Sequence, residues 1–197
     1  MSNQYFENND NLKHTTYNID YYFKGHNIKF ISDNGVFSKQ KVDFGTSLLL
    51  QMIPSQERKD ILDVGSGIGI IGITLGICNP TSNIDMIDVN KNAIKLASEN
   101  IKINNLENVF VFESNTYEKV IKKYDMIVTN PPIRAGRKVV EDIVLNACKH
   151  LKEEGNIYLV IQDKQGAPSL IKKMKDVYKV VNVVVKKSGY FIIQAQI

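Results

Sequence analysis

From Lys59 to the carboxyl terminus, short apolar runs alternate with longer stretches whose apolar residues recur at helical spacing. Ile61-Leu62-Asp63-Val64 leads into a helical stretch at about 68–78, and Ile84-Asp85-Met86-Ile87-Asp88-Val89 into one at about 91–103. Val109-Phe110-Val111-Phe112 and Tyr124-Asp125-Met126-Ile127-Val128-Thr129 are further strand-like runs. A helix at about 137–151 then precedes the apolar run 155–161. Strands alternating with helices in this way predict a parallel sheet covered on both faces. The ending differs. After a helix at about 168–176, the runs 178–186 and 190–196 are separated by little more than Lys187-Ser188-Gly189. So short a link holds no crossover helix, so the last two strands should pair antiparallel. The expected fold is α/β, with a mostly parallel seven-stranded sheet closed by a carboxyl-terminal hairpin.

Residues 1–58 are less regular. Tyr21-Tyr22-Phe23 and Ile28-Lys29-Phe30 flank Lys24-Gly25-His26-Asn27, which predicts a β-hairpin, and 46–53 reads as a short helix stopped by Pro54. The opening residues are rich in Asn and poor in aliphatics, a composition that favours a loose chain. We expect an amino-terminal extension over 1–58 packed on a catalytic domain over 59–197.

A chain of 197 residues, 43% hydrophobic and 23% charged, suits one domain with a real core. No apolar run approaches the ~20 residues of a membrane helix, and the start has neither the basic flank nor the apolar stretch of a signal peptide. A cytoplasmic protein is expected. Cys78 and Cys148 sit among apolar neighbours and read as buried small hydrophobes, while His14, His26 and His150 have no ligand spacing, so no metal site is expected. The net charge of +4, with Lys172-Lys173-Lys175 and Lys186-Lys187 near the end, permits a nucleic-acid partner without requiring one.

Two loops carry candidate chemistry, each at the carboxyl end of a predicted strand. Gly65, Gly67 and Gly69 follow the first strand, where residues without side chains let the backbone turn sharply and approach a ligand. Gly67-Ile68-Gly69-Ile70-Ile71-Gly72 also fits a dinucleotide fingerprint, but that frame starts further from the strand than the turn requires. After the fourth strand stands Asn130-Pro131-Pro132-Ile133. Its prolines fix the backbone. The Asn130 oxygen and a main-chain carbonyl near Pro131 can accept both hydrogens of a planar amino group. The lone pair of such an amine is delocalised into its ring, so positioning and electrostatics must carry most of the rate. Alone, Asn-Pro-Pro can simply end a strand; beside a glycine loop it points to amino-group methylation. Asp88, ending the second strand, suits a ribose diol as an ionised acceptor, or caps the following helix. Asn115, after Ser114 at the end of the third strand, can donate and accept as an adenine edge requires, or hold a turn.

Asp63-x-Gly65-x-Gly67-x-Gly69 resembles motif I of class I methyltransferases, and Asn130-Pro131-Pro132-Ile133 resembles the (Asp/Asn)-Pro-Pro-(Tyr/Phe/Ile) signature of N-methyltransferases. Gly35-Val36-Phe37-Ser38 followed by Val42-Asp43-Phe44-Gly45-Thr46 resembles the segment before the catalytic domain of the "methyltransferase small" family, and Asn130-Pro131-Pro132-Ile133-Arg134-Ala135-Gly136 resembles motif IV of its small single-domain members. That family includes ribosomal RNA small subunit methyltransferase C, a guanine-N2 enzyme. The resemblance covers about 21–197. It implies a Rossmann-like class I methyltransferase fold, S-adenosylmethionine as cofactor, and methyl transfer to an exocyclic amino nitrogen, foremost guanine N2 of ribosomal RNA.

The resemblance also implies site roles. Asp63, Gly65, Ser66, Gly67 and Gly69 would lie along the methionine part of the cofactor, Asp88 at its ribose, and Ser114 and Asn115 at its adenine, with Val89 also touching the cofactor. Asn130 would stand between cofactor and acceptor, with Pro131, Pro132 and Ile133 completing the catalytic turn. Phe37, Ser38 and Thr46 would close over cofactor and substrate, and Arg134 would face the acceptor. RNA, ribosomal RNA or a ribosomal subunit, is the implied partner; for the oligomeric state a monomer is the default expectation. Two departures stand out: the larger ribosomal enzymes carry a duplicated amino-terminal methyltransferase domain with no counterpart in this sequence, and Ile133 replaces the aromatic that stacks on the acceptor in many relatives. Stacking would then come from Phe37 or Tyr22.

Three other readings stay open. A protein glutamine amide is also a planar NH2, although enzymes of that kind carry a helical domain in front and an aromatic after the prolines. A nicotinamide dehydrogenase would share the glycine loop and Asp88, but not the terminal hairpin. A non-catalytic binder could keep the fold, although the glycines and Asn130 are all present.

Overall fold

The structure is a computed structural model and describes residues 15–34, 36, 41–54 and 59–197. Two strands, β1 (Thr16–Phe23) and β2 (His26–Asp33), form an antiparallel hairpin, followed by helix α1 (Phe44–Met52). The hairpin is longer than the sequence suggested. Its turn is only Lys24-Gly25, both at positive φ (45° and 89°), the geometry that matches the twist of the flanking strands.

A regular alternation follows: β3 (Asp60–Val64), α2 (Ile70–Cys78), β4 (Asn83–Asp88), α3 (Lys91–Ile103), β5 (Val109–Glu113) and β6 (Tyr124–Thr129). It continues with α4 (Arg137–Asn146), β7 (Leu151–Gln162), α5 (Ala167–Met174), β8 (Val180–Lys187) and β9 (Tyr190–Gln196). The seven strands from β3 onward form one sheet in the order β5-β4-β3-β6-β7-β9-β8. Six run in the same direction, and β9 alone is reversed, pairing antiparallel with both β7 and β8. The α/β class, the mostly parallel sheet and the terminal hairpin are as the sequence implied.

Alternate residues of each strand feed two apolar layers. On one face Ile61, Ile84, Met86, Met126 and Val128 pack with α2, α3, α1 and the hairpin residues Ile19, Phe23, Ile28 and Phe30. On the other, Leu62, Val64, Ile87, Ile127 and Leu159 pack with α4 and α5. One boundary differs: β7 begins at Leu151, not near Gly155. Leu151 pairs with Tyr124 and Asn156 with Met126, so residues between them form an irregularity that includes Glu154 at φ 60°. Strand pairing extends β7 back through a segment whose local turn chemistry reads as a loop.

No helix of the described residues is long and apolar enough to cross a membrane, and no group of three or more His, Cys, Asp and Glu among them could hold a metal ion.

Candidate active site

The strand order reverses direction between β3 and β6, and crevices at such points are where α/β sheets bind ligands. Here the two strands pair only as far as Asp63 and Val128. Beyond that the loop after β3 leans towards β4, where Gly65 and Ser66 both donate to the Ile87 carbonyl at 2.9 and 3.0 Å. Thr129, the last residue of β6, donates its hydroxyl to the Val64 carbonyl at 2.8 Å and holds the strand ends together below the gap.

Two acids fasten the glycine loop. Asp88 at the end of β4 accepts from Gly67 N–H at 2.8 Å and Asn90 N–H at 2.9 Å. Asp63 accepts from Gly72 N–H at 3.0 Å. Gly72 is needed for space as well, because a Cβ there would meet Met86 Sδ at 2.4 Å. The loop glycines Gly65, Gly67 and Gly69 have φ of 71°, 56° and 90°, which side chains resist. A Cβ on Gly67 would point into open space, so this backbone lies bare to a ligand.

Asp63 is completely buried. Burial pushes its pKa up to about 7, opposed by the Gly72 N–H and reinforced by the charge of Asp88. Asp88 is raised too, chiefly by burial, against the pull of its backbone donors. Among the described residues, only two buried side-chain polar atoms have no hydrogen-bond partner, Asp63 Oδ1 and Ser66 Oγ. Both belong to this loop. Buried polar atoms without partners are costly unless something else satisfies them.

The second half of the site is as close as the sequence implied. A Cβ on Gly65 would lie 3.6 Å from Pro132 Cδ, so the glycine loop and the Asn130-Pro131-Pro132 turn touch. Asn130 donates its Nδ2 hydrogen to Thr46 Oγ1 at 2.9 Å, across 84 positions of sequence. Thr46 is buried near the start of α1, where Asp43 caps the helix by accepting from Thr46 N–H at 3.1 Å. The close fit of Gly45 against Tyr190, and of the Phe44 ring on the same tyrosine, seats α1 over the start of β9. After Pro132 the chain makes a short 3-10 turn, Ile133–Ala135, in which Ala135 N–H takes the Pro132 carbonyl at 2.9 Å. Ile133 is half-buried against the α4 side of the core, and Arg134 is exposed.

Other sequence candidates fall out as follows. Val89 is 40% exposed beside Asp88, an apolar side chain at the rim of the crevice. Capping of α3 falls to Asn90, which accepts from Asn92 and Ala93 N–H, and not to Asp88. Ser114 is buried as a turn staple, donating to Thr116 O and accepting from Lys119 N–H. Asn115 is exposed and donates to Glu118 Oε1 at 2.9 Å. Phe37 and Ser38 lie outside the described residues. The sequence reading passed over Thr129 and Asn90, and set Gly72 aside with the dinucleotide frame that it closes. Asn90 had a local signal as a capping residue type immediately before a helical stretch, and Gly72 as the last glycine of that frame, the position where helix and strand pack closely.

Comparison with known proteins agrees with this architecture. The chain matches the methyltransferase small domain family over residues 27–194. It is 41% identical to the uncharacterized protein YbxB of Bacillus subtilis (strain 168), over 100% of this chain and 99% of that protein. It is 38% identical to ribosomal RNA small subunit methyltransferase C of Aliivibrio fischeri (strain MJ11), over 77% of this chain but 45% of that one. The chain thus spans under half of that longer relative. Among solved structures, the Thermus thermophilus 16S rRNA N2 G1207 methyltransferase (RsmC), in complex with AdoMet and guanosine, shares the fold with a TM-score of 0.81. Its sequence identity is 22%, over 92% of this chain and 50% of that one. With a family match across most of its length, this chain belongs to the methyltransferase small domain family.

Proposed function

We propose that this protein transfers a methyl group from S-adenosylmethionine to an exocyclic amino nitrogen, guanine N2 of ribosomal RNA. The observation that carries the reading is the orientation of the Asn130 side chain. Its NH2 is turned to Thr46 Oγ1, to which it donates one hydrogen, so its carbonyl oxygen is left to accept a hydrogen from an incoming amine. The Pro132 carbonyl is consumed by Ala135, and the Pro131 carbonyl supplies the second acceptor. Two acceptors set against a flat NH2 hold its nitrogen in place and favour a reactive geometry.

The crevice fits the cofactor on its own evidence. The two orphaned polar atoms, Asp63 Oδ1 and Ser66 Oγ, suit the charged methionine end. The bare backbone at Gly67 allows close approach, Asp88 retains lone pairs for ribose hydroxyls, and Val89 offers apolar cover for adenine. When bound, the cofactor supplies an electrophilic methyl on a sulfonium. The chain then has only to align the acceptor and shape the field around it. No strong base is required, because the amine becomes acidic only after methylation.

Support for RNA comes from the names of the ribosomal relatives and from charge placement. Arg134, Arg137 and Lys138 follow the acceptor turn, and the last two occupy the first turn of α4, which holds no acid. Cations there oppose the helix dipole. Arg137 is partly answered by Glu141 at 2.7 Å and Ser169 at 2.6 Å. A polyanion would turn this local cost into a gain.

The test uses labelled S-adenosylmethionine with small ribosomal subunits, naked ribosomal RNA and total protein, all from cells lacking this chain. Digestion of labelled RNA should give N2-methylguanosine. Label appearing only in protein would replace this reading with the glutamine-amide one, and label in another methylated nucleoside would move the acceptor.

A further inference from the structure

Helix α3 carries a polar residue on its buried stripe. Ala93, Leu96 and Ala97 are apolar, but Asn100, next on the same face, is fully buried and polar. Its side chain is completely used. Oδ1 accepts from Ile31 N–H at 2.7 Å, while Nδ2 donates to the Ile31 carbonyl and the Ile68 carbonyl, both at 3.0 Å.

One helical turn later Asn104 repeats half of the pattern. It accepts from Lys29 N–H at 3.2 Å and donates to the Lys29 carbonyl at 2.7 Å and to the Asn100 carbonyl of its own helix at 2.8 Å. Lys29 and Ile31 are alternate residues of β2, so both present main-chain groups to the same edge. The helix rise over four residues is about 6.0 Å, and the strand rise over two is about 6.8 Å. The two asparagines therefore stand in for a neighbouring strand along the edge of β2 that β1 leaves open. They satisfy that edge and fix the hairpin's register on α3.

Asn100 does one thing that Asn104 does not. Ile68 lies between Gly67 and Gly69, inside the glycine loop. Its peptide link to Gly69 is held at both ends, the carbonyl by Asn100 and the Gly69 N–H by the Ser66 carbonyl at 2.9 Å. We propose that Asn100 is a positioning residue, which sets the glycine loop for cofactor binding by referring it to the amino-terminal hairpin. The extension is then a scaffold for the cofactor site. This inference rests on the cofactor reading of that loop.

The two asparagines provide their own control. Asn100→Ala and Asn104→Ala both loosen the hairpin, and both should lower the melting temperature. Only Asn100→Ala should weaken S-adenosylhomocysteine in calorimetric titration, by roughly tenfold, the factor that matches one buried hydrogen bond. KM for S-adenosylmethionine should rise in parallel, with kcat changed less. Amide exchange of the loop peptide 64–72, measured without ligand, should speed up in Asn100→Ala and not in Asn104→Ala. If Asn100→Ala does not fold, Asn100→Asp replaces it. This variant keeps the acceptor for Ile31 N–H and loses the donors to the Ile31 and Ile68 carbonyls. Equal affinity and equal loop exchange in the two alanine variants would overturn the proposal. Failure of the wild-type protein to bind S-adenosylhomocysteine would refute the cofactor reading instead, while the exchange comparison still tests the clamp.

Discussion

A carboxyl group with no solvent exposure and one oxygen bare of donors, such as Asp63, resists ionisation. Its pKa of about 7 lies above the 3.8 of an exposed aspartate, so the unliganded folded state holds this proton more tightly than the unfolded chain. Linkage then gives the sign: this residue makes the folded state lose stability as pH rises from about 4 to 7. Asp88, also raised, acts in the same direction. Asp63→Asn should flatten that decline and raise the apo melting temperature at pH 8, as read by thermal unfolding across pH. The same variant should bind S-adenosylhomocysteine more weakly at pH 8, because the ligand's ammonium needs an ionised partner. Thr46→Val keeps the shape and removes the oxygen that orients Asn130, so kcat should fall about tenfold or more. Thr46→Ser should retain most of the rate. An undiminished kcat in the valine variant would show that Asn130 is oriented by something else.

Elements at opposite ends of the sheet should answer differently to charge changes. At the carboxyl ends, Lys138 in the first turn of α4 is exposed a few residues after the Asn130-Pro131-Pro132 turn. Lys138→Glu should leave S-adenosylhomocysteine affinity unchanged and weaken RNA binding. The slope of log affinity against log salt should shrink by about 0.7 to 0.9 for one lost phosphate contact. At the amino ends, Lys152 reaches Asp60 at 2.6 Å and Asp125 at 3.1 Å. Burial raises both carboxyl pKa values, but hydrogen bonds outweigh it: Lys152 dominates at Asp60, and the Asp60 N–H and Lys152 act at Asp125. Lys152→Met should cost up to about 1 kcal/mol in this half-exposed setting, with methyl transfer unchanged. In denaturant melts that difference should shrink below pH 3.8, as the two carboxylates take up protons.

Across the whole molecule, strands, helices and their succession along the chain were legible because the central strands β3, β4, β6 and β7 are buried on both faces and their apolar runs say so. The seven-stranded arrangement and its terminal hairpin followed from spacing and from the short Lys187-Ser188-Gly189 link. What stayed hidden depends on contacts between distant residues. The start of β7 at Leu151 comes from pairing with Tyr124, and no local pattern announces it. The bond from Asn130 to Thr46 joins segments that share no periodicity, and only family resemblance had drawn attention to Thr46. Asn100 did leave a trace, as a polar residue on an apolar helical stripe, but its partners are backbone groups that a sequence does not display.

The grip of Asn130 on an amino group is the claim on which the molecule's proposed chemistry turns. Its most direct test pairs single-turnover methyl transfer to ribosomal RNA with calorimetric titration of S-adenosylhomocysteine, for wild type and Asn130→Ala. The transfer rate should fall roughly 10²–10³-fold, while the ligand's Kd moves by less than about threefold. An Asn130→Ala protein that methylates at the wild-type rate would contradict that claim.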